Sequence, residues 1–197
     1  MKDTKLYIIL RPFIKLISTI FLKPKYIGLD NIPKSGHIIL AGNHTSILDP
    51  LVLMSSTKRN IHFLAKEELW HGPKKILFNN MGLIPVNRKI KDHNALVLAE
   101  EYLNNDFVIG IFPEGTTEKG KGLLPFKIGA IKMAKDTNTQ IIPFVIKGKY
   151  KLFSKDLTIT FGNPITIKDD DLEKENKYLR SIIKEMLNNN GVDNNEQ

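Results

Sequence analysis

The stretch "HIILAGNHTSILDPLVLMSS", residues 37–56, decides the fold of this chain. Its first six residues form an apolar run rich in β-branched side chains, which predicts a strand, and its last six predict a helix. The turn "NHTSILDP" lies between them, with Asp49 suited to cap the helix and Pro50 to be its first residue. A strand that leads through a short turn into a helix is typical of α/β domains.

The same alternation continues along the chain. Apolar runs predict strands at 37–42, 61–65, 82–86, 106–112, 140–146 and 157–162, and helical patterns lie at 51–56, 72–80, 94–105 and 127–137. Several strands are apolar at consecutive positions, as expected of central strands covered on both faces. We therefore predict an α/β fold, a single domain with a largely buried central sheet flanked by helices.

Composition narrows the function classes. A chain of 197 residues with 42% hydrophobic and 25% charged residues fits one globular domain. The absence of cysteine excludes disulfides, thiolate metal sites and a cysteine nucleophile. The net charge of +8 favours a phosphate-bearing partner (nucleic acid, anionic lipid or a phosphorylated substrate), although a generic basic surface is the alternative.

The N-terminal segment is apolar, and its charged residues from Lys5 onward are all basic. No run reaches the ~18 apolar residues of a spanning helix, and Arg11 cuts the apolar region too short for a signal peptide. As a helix it would be amphipathic, so we expect residues 1–24 to lie in a membrane interface with the basic side toward anionic head groups. Pro12 permits two short helical pieces, and a helix packed on its own domain is the alternative.

The C-terminal end has a different composition. A charged helical pattern runs from 168 to 187, and the Asn-rich residues 188–197 have too little apolar content to pack. We therefore divide the chain into the membrane-interface segment 1–24, the α/β domain 25–187 and a disordered polar tail 188–197.

His44 and Asp49 are a candidate catalytic pair. Five residues apart, they would lie about 140° apart on a helix and on opposite faces of a strand, so they meet only if the chain turns between them. The turn places them at the carboxyl end of a strand, where α/β sheets bind ligands. Asp49 could then fix the tautomer of His44 and leave its other nitrogen as a base, a role compatible with capping.

A second candidate is "FPEGTTEKGKGLLPFKIGA", residues 112–130. A glycine turn at a strand end, surrounded by lysines, can bind an anion through backbone N–H groups, although a flexible turn is the alternative. Glu114 in this turn would orient a neighbouring Lys, Arg or substrate hydroxyl. Arg88, which follows another predicted strand, could reach the same end of the sheet. The remaining histidines have no partner at a suggestive spacing and are interpreted as structural or exposed: His37, His62, His71 and His93.

Four blocks in this order resemble the glycerolipid acyltransferase family, specifically its bacterial 1-acyl-glycerol-3-phosphate acyltransferases. They are "NHTSILDP" (43–50), "GLIPVNR" (82–88), "IFPEGTTEKGKGLLPFKIGA" (111–130) and "IIPFVI" (141–146). The resemblance covers roughly residues 30 to 165, and the ordered set is more specific than any single block.

This resemblance implies a mixed sheet and transfer of a fatty acyl group from an acyl-CoA or acyl-carrier-protein thioester to the free hydroxyl of 1-acyl-sn-glycerol-3-phosphate, giving phosphatidic acid. Carried over by position, His44 is the general base and Asp49 its orienting partner. The implied substrate-binding residues are Arg88, Glu114, Gly115, Thr116 and Lys127. The expected partners are the acyl donor, membrane lipids and the lysophospholipid acceptor, with no nucleic acid, cofactor or metal. The expected location is the cytoplasmic face of the cell membrane, as a peripheral or monotopic protein.

Thr117 departs from the family pattern, which usually has an arginine there. The missing phosphate contact could be taken over by Lys119, Lys121 or Lys127, or the acceptor could be another lysophospholipid or a glycolipid. Two further alternatives are a hydrolase that uses the same pair and a non-catalytic basic protein that binds membranes or nucleic acid.

Overall fold

A seven-stranded sheet forms the centre of the computed structural model, which describes residues 5–90, 92–117 and 122–189. The strands are β1 Lys25–Ile27, β2 Ile38–Gly42, β3 Ile61–Lys66, β4 Ile84–Val86, β5 Val108–Ile111, β6 Ile141–Lys147 and β7 Thr158–Phe161. The helices are α1 Lys5–Ile17, α2 Asp49–Ser56, α3 Lys74–Asn80, α4 His93–Leu103, α5 Gly129–Asp136 and α6 Leu172–Asn188.

The strand order is β1-β7-β6-β2-β5-β3-β4. Neighbouring strands are parallel except β6 and β7, which pair antiparallel, so the predicted mixed sheet is confirmed. Because β2 to β6 share one direction, their carboxyl ends lie at one edge of the sheet. The loops that carry the first three sequence blocks therefore meet at that edge, whereas the fourth block, 141–146, lies within β6 itself.

The sheet is covered on both faces. In β2, Leu40 belongs to the core shared with α1 and α2, whereas its neighbour Ile39 belongs to the core shared with α4, α5 and α6. Every residue of β2 and of β5 is buried. This burial explains why these strands are apolar at consecutive positions rather than at alternate ones.

The six predicted strands all form, with ends within two residues of the predicted bounds. The short edge strand β1 was not predicted, because only three residues pair and none of them is fully buried. The prediction that Asp49 caps α2 is wrong. Asp49 is the first helical residue, and its carboxylate turns back to accept the N–H groups of Thr45 and Ser46, which precede the helix.

The helix α1 continues through Pro12 and is followed by a π-helical segment, Ser18–Leu22. One side packs on the domain: Tyr7 is buried and accepts the Ile61 N–H at 3.0 Å, and Arg11 donates to the Thr57 carbonyl at 2.6 Å. Large apolar side chains of the opposite side are exposed, namely Ile8, Ile9, Phe13, Leu16, Ile17, Ile20 and Phe21. Packing on the domain and an outward apolar side therefore coexist, and Arg11 faces the protein.

Within the described ranges, no helix has both the length and the apolar character needed to cross a membrane. At the other end, α6 stops at Asn188, and residues 190–197 lie outside the described residues, so the disordered tail stays a prediction.

Candidate active site

The loop between β2 and α2 turns the chain so that His44 and Asp49 meet. His44 Nδ1 lies 2.7 Å from Asp49 Oδ2, which is hydrogen-bonding distance. The histidine follows the carboxyl end of β2, and the aspartate is at the first turn of α2. The structure thus brings together the two residues predicted as the catalytic pair.

Asp49 is fully buried and accepts hydrogen bonds from four residues. Besides His44, Oδ2 accepts the N–H groups of Thr45 at 2.6 Å and Ser46 at 2.9 Å. Oδ1 accepts the Thr45 hydroxyl at 3.1 Å and the Tyr150 hydroxyl. Burial alone raises the pKa of Asp49, but the hydrogen bonds from His44, Tyr150 and the two backbone N–H groups outweigh it and hold the pKa below its ordinary value. The carboxylate is therefore ionised at neutral pH.

An ionised carboxylate can only accept hydrogen bonds, so Nδ1 of His44 carries the proton and Nε2 presents its lone pair. In residues 5–90, 92–117 and 122–189 no hydrogen bond to Nε2 is present. The imidazole stacks on the Phe112 ring, with centroids 4.0 Å apart and planes inclined by 15°, and its side chain is 14% exposed. His44 is thus held by two neighbours with its free nitrogen available as a base.

The end of β2 is fixed against β6. The Asn43 amide donates to the Ile146 carbonyl at 2.9 Å, and its oxygen accepts the Ile146 N–H at 2.8 Å. A Cβ at Gly42 would lie 2.4 Å from both the ring and the carbonyl oxygen of Phe144, so this close approach requires glycine. These contacts set the point from which the His44 loop departs.

Glu114 supports the same loop from β5. One carboxylate oxygen accepts the His44 N–H at 3.0 Å and the other accepts the Leu124 N–H at 3.0 Å. Both oxygens therefore accept backbone N–H groups, where the sequence predicted contact with a basic side chain or a substrate hydroxyl. Its role in acceptor binding stays a prediction.

Two cations flank the glycine turn. The Arg88 guanidinium donates to the Gly115 carbonyl, and a Cβ on Gly115, whose φ is 70°, would lie 3.1 Å from Lys127 Cε. Burial lowers the pKa of Arg88, with the charge of Glu68 opposing that shift, and arginine remains a cation throughout the working range of pH. Thr116, the next residue along, is half-buried beside this turn.

A cavity of about 470 Å³ opens beside these cations. Arg88, Gly115 and Lys127 line it together with Phe112, on whose ring His44 stacks, and apolar side chains such as Leu96 form much of the rest. His44 does not itself line the cavity, and Phe112, which contacts both, lies between them. The site combines an oriented imidazole, positive charge and an apolar volume, which suits an amphipathic anion.

Sequence reasoning missed Tyr150 and Phe112. Tyr150 is 101 residues from Asp49 and lies in a segment without a motif. Phe112 could have been found, because it directly precedes the Pro-Glu-Gly turn at the end of a strand. His62 is buried, donates through Nδ1 to the Gly82 carbonyl at 2.9 Å, and has a pKa lowered by that burial, which agrees with its interpretation as structural.

No group of three or more His, Asp or Glu side chains suited to hold a metal ion occurs in the described part of the chain. Lys119 and Lys121, named as replacements for the missing arginine, lie outside the described residues. Thr117 is exposed at the end of the glycine turn.

Known proteins resemble this chain in sequence. The family described as "Acyltransferase" matches residues 23–147. The 1-acyl-sn-glycerol-3-phosphate acyltransferase of Borreliella burgdorferi is 36% identical over 172 residues, which cover 81% of this chain and 68% of that protein. The enzyme of the same name from Cocos nucifera is 29% identical, over 71% of this chain and 49% of its own length, so this chain spans about half of that relative.

A solved structure shares the fold. The crystal structure of the 1-acyl-sn-glycerophosphate (LPA) acyltransferase PlsC from Thermotoga maritima aligns with a TM-score of 0.72 at 23% identity. The alignment covers 93% of this chain and 78% of the Thermotoga chain. The mixed seven-stranded sheet with flanking helices is thus an arrangement that both proteins adopt.

Proposed function

Because this chain belongs to the acyltransferase family, we propose that it transfers a fatty acyl group from an acyl-CoA or acyl-carrier-protein thioester to the free hydroxyl of 1-acyl-sn-glycerol-3-phosphate, giving phosphatidic acid for phospholipid synthesis. The names of the relatives support this acceptor. The observation that carries the proposal is the 2.7 Å contact between His44 Nδ1 and Asp49 Oδ2 beside a cavity lined by Arg88 and Lys127.

In the first step, Nε2 of neutral His44 takes the proton of the acceptor hydroxyl as that oxygen attacks the thioester carbonyl carbon. The new C–O bond gives a tetrahedral oxyanion, and the imidazole becomes an imidazolium. The ionised Asp49 beside Nδ1 stabilises this cation, and the Phe112 ring keeps the imidazole plane in place.

In the second step, the oxyanion collapses, the C–S bond breaks, and the thiolate leaves. The imidazolium returns its proton to the sulfur, so the products are the ester and the free thiol, and His44 is neutral again. No protein nucleophile is needed, in keeping with a chain that has no cysteine.

The acceptor carries a phosphate and an acyl chain, and the cavity offers a matching partner for each. Arg88 and Lys127 supply positive charge on either side of Gly115, which suits a phosphate. The apolar lining suits hydrocarbon. Glu114, Gly115 and Thr116 form the turn between the cations and His44.

The membrane is the proposed place of action, because the acceptor and the product are lipids, and its cytoplasmic face stays an expectation. The outward apolar side of α1 supports contact with a bilayer surface, with Phe13 60% and Ile9 59% exposed.

The test is an acyl-transfer assay with purified protein, acyl-CoA and a panel of lysolipids with and without a head-group phosphate monoester. We expect diacyl product from lysophosphatidate, and a loss of turnover of about 10²–10⁴-fold in His44→Ala, the usual contribution of a general base. His71→Ala, at an exposed histidine, is the matched control.

Normal turnover in His44→Ala would contradict the mechanism, and release of free fatty acid without diacyl product would indicate a hydrolase. Preference for another lysolipid would replace the acceptor. Thr117→Arg, which restores the usual family residue, then tells whether position 117 sets that preference.

A further inference from the structure

The loop between β6 and β7, residues 148–157, has an exposed apolar tip. Leu152 is 64% exposed and Phe153 is 60% exposed. The tip is flanked by Lys149, Lys151 and Lys155, which form no ion pair within residues 5–90, 92–117 and 122–189. Exposed apolar side chains beside lysines that have no ion-pair partner are typical of a binding surface.

The tip is joined to the N-terminal segment. The rings of Phe153 and Phe21 have centroids 5.4 Å apart, and the Phe153 N–H donates to the Phe21 carbonyl at 2.6 Å. Phe21 is itself 38% exposed and follows the outward apolar residues of α1. The loop tip therefore extends the exposed apolar side of that segment.

The backbone holds the tip in this position. Phe153 has a φ of 60°, in the left-handed region that a bulky residue rarely occupies. At the base of the loop, Lys149 N–H donates to Asp156 Oδ2 at 3.1 Å, and Gly148 has a φ of 90° with no room for a Cβ beside the Asp156 carbonyl. A sparsely populated conformation that keeps a phenylalanine outside the core points to a use for its exposure.

We propose that the tip, with its three lysines, is a second membrane-contacting element that docks on the head-group region of an anionic bilayer. The inference rests on the proposed function, since it takes the substrates to be membrane lipids. Charge selects the partner: phenylalanine and leucine enter the head-group boundary while the lysines meet anionic head groups. Because the tip contacts Phe21, which follows α1, the tip and α1 would contact the same bilayer surface.

The position of the loop also relates docking to the chemistry. Tyr150, two residues before Leu152, donates to Asp49. A docked tip would therefore link the bilayer surface to the catalytic pair through Tyr150.

The test is sedimentation of the full chain with vesicles of equal parts phosphatidylglycerol and phosphatidylcholine, without substrates. The variant is Leu152→Ser/Phe153→Asn, since asparagine tolerates a positive φ. The control is Val97→Ser/Tyr178→Ser, which removes two apolar side chains of 51% and 53% exposure from α4 and α6.

We expect the loop variant to need about tenfold more lipid for half-maximal binding, and the control to bind as the wild type does. Replacing Lys149, Lys151 and Lys155 by glutamine should weaken binding roughly fivefold per lysine and reduce its salt dependence. Equal binding by loop variant and wild type would overturn the proposal, as would absence of wild-type binding or equal weakening in the control.

Acylation of a short-chain lysophosphatidate, dissolved as monomers without vesicles, separates this inference from the proposed function. The loop variant should turn over this acceptor at the wild-type rate, because neither replaced side chain contacts His44 or Asp49. A loss there would assign the tip to the site's structure and overturn membrane docking. If the wild type does not acylate it, the proposed function fails, while the vesicle result still decides the role of the loop.

Discussion

Replacing Asp49 by asparagine tests the role of its charge while keeping its shape. The amide oxygen can take the place of Oδ2, where it still accepts from His44 and from the N–H groups of Thr45 and Ser46. The amide NH₂ then faces the hydroxyls of Tyr150 and Thr45, which can rotate and accept. We therefore expect Asp49→Asn to fold and to keep the His44 tautomer.

What the variant loses is the negative charge beside the imidazolium that forms during transfer. With charge centres about 4 Å apart and an effective dielectric constant of about 20, the attraction is about 4 kcal/mol. That energy corresponds to roughly 10³-fold in rate, which lies within the total contribution of a general base, about 10²–10⁴-fold. We predict a kcat about 10²–10³-fold lower, with little change in the KM for the acceptor.

The assay is colorimetric detection of the CoA thiol released from acyl-CoA. The chain contains no cysteine, so the protein itself gives no background. Asp171→Asn is the control, because Asp171 caps α6 by accepting the Lys174 N–H at 3.0 Å and takes no part in the site. A kcat for Asp49→Asn within about threefold of the wild type, in protein that a circular dichroism spectrum shows to be folded, would refute the role of the charge.

Three further predictions follow from the same contacts. Tyr150→Phe removes a donor to Asp49 Oδ1. Because hydrogen bonds to charged groups contribute about 1.5–3 kcal/mol, we expect kcat to fall about tenfold or more with an unchanged KM. A rise in KM alone would contradict a positioning role. Gly115→Ala places a methyl group at a φ of 70° and 3.1 Å from Lys127 Cε. Thermal unfolding should show a loss of about 1–2 kcal/mol in stability, and kinetics should show a higher KM for the acceptor. No change in either would show that the turn adjusts freely. The pKa of Asp49 is lower in the folded protein than its unfolded-state value of about 3.9, so ionised Asp49 stabilises the fold above that pH. This contribution disappears as pH falls through the folded-state pKa. The difference in urea stability between wild type and Asp49→Asn should therefore shrink on acidification and not grow.

The sequence predicted those features that depend on local pattern. Consecutive apolar residues predicted the strands, and parallel strand ends predicted that His44, Arg88 and Glu114 would lie at one edge of the sheet. The capping prediction for Asp49 failed because capping preferences consider only the helix's own N–H groups, whereas the loop donors Thr45 and Ser46 compete for the same carboxylate.

Tyr150 could not be predicted, because its contact with Asp49 requires β6 to lie beside β2, and that adjacency is a property of the sheet order. The same is true of the Asn43 contact with Ile146. Local sequence contains the motif, but Ile146 and Tyr150, which support it, come from β6 and the loop that follows it, about half the chain away.

These long-range contacts bear on how activity arises during synthesis. Asn43 receives its partner from Ile146, and Asp49 accepts from Tyr150, so a nascent chain still lacking β6 and the loop after it contains the whole histidine motif without these two contacts. We expect such a chain to be silent toward acyl thioesters. On refolding, turnover should return with the slowest phase, when β6 docks beside β2, and not with the earlier growth of helical signal. Acyl transfer would then report completion of the sheet.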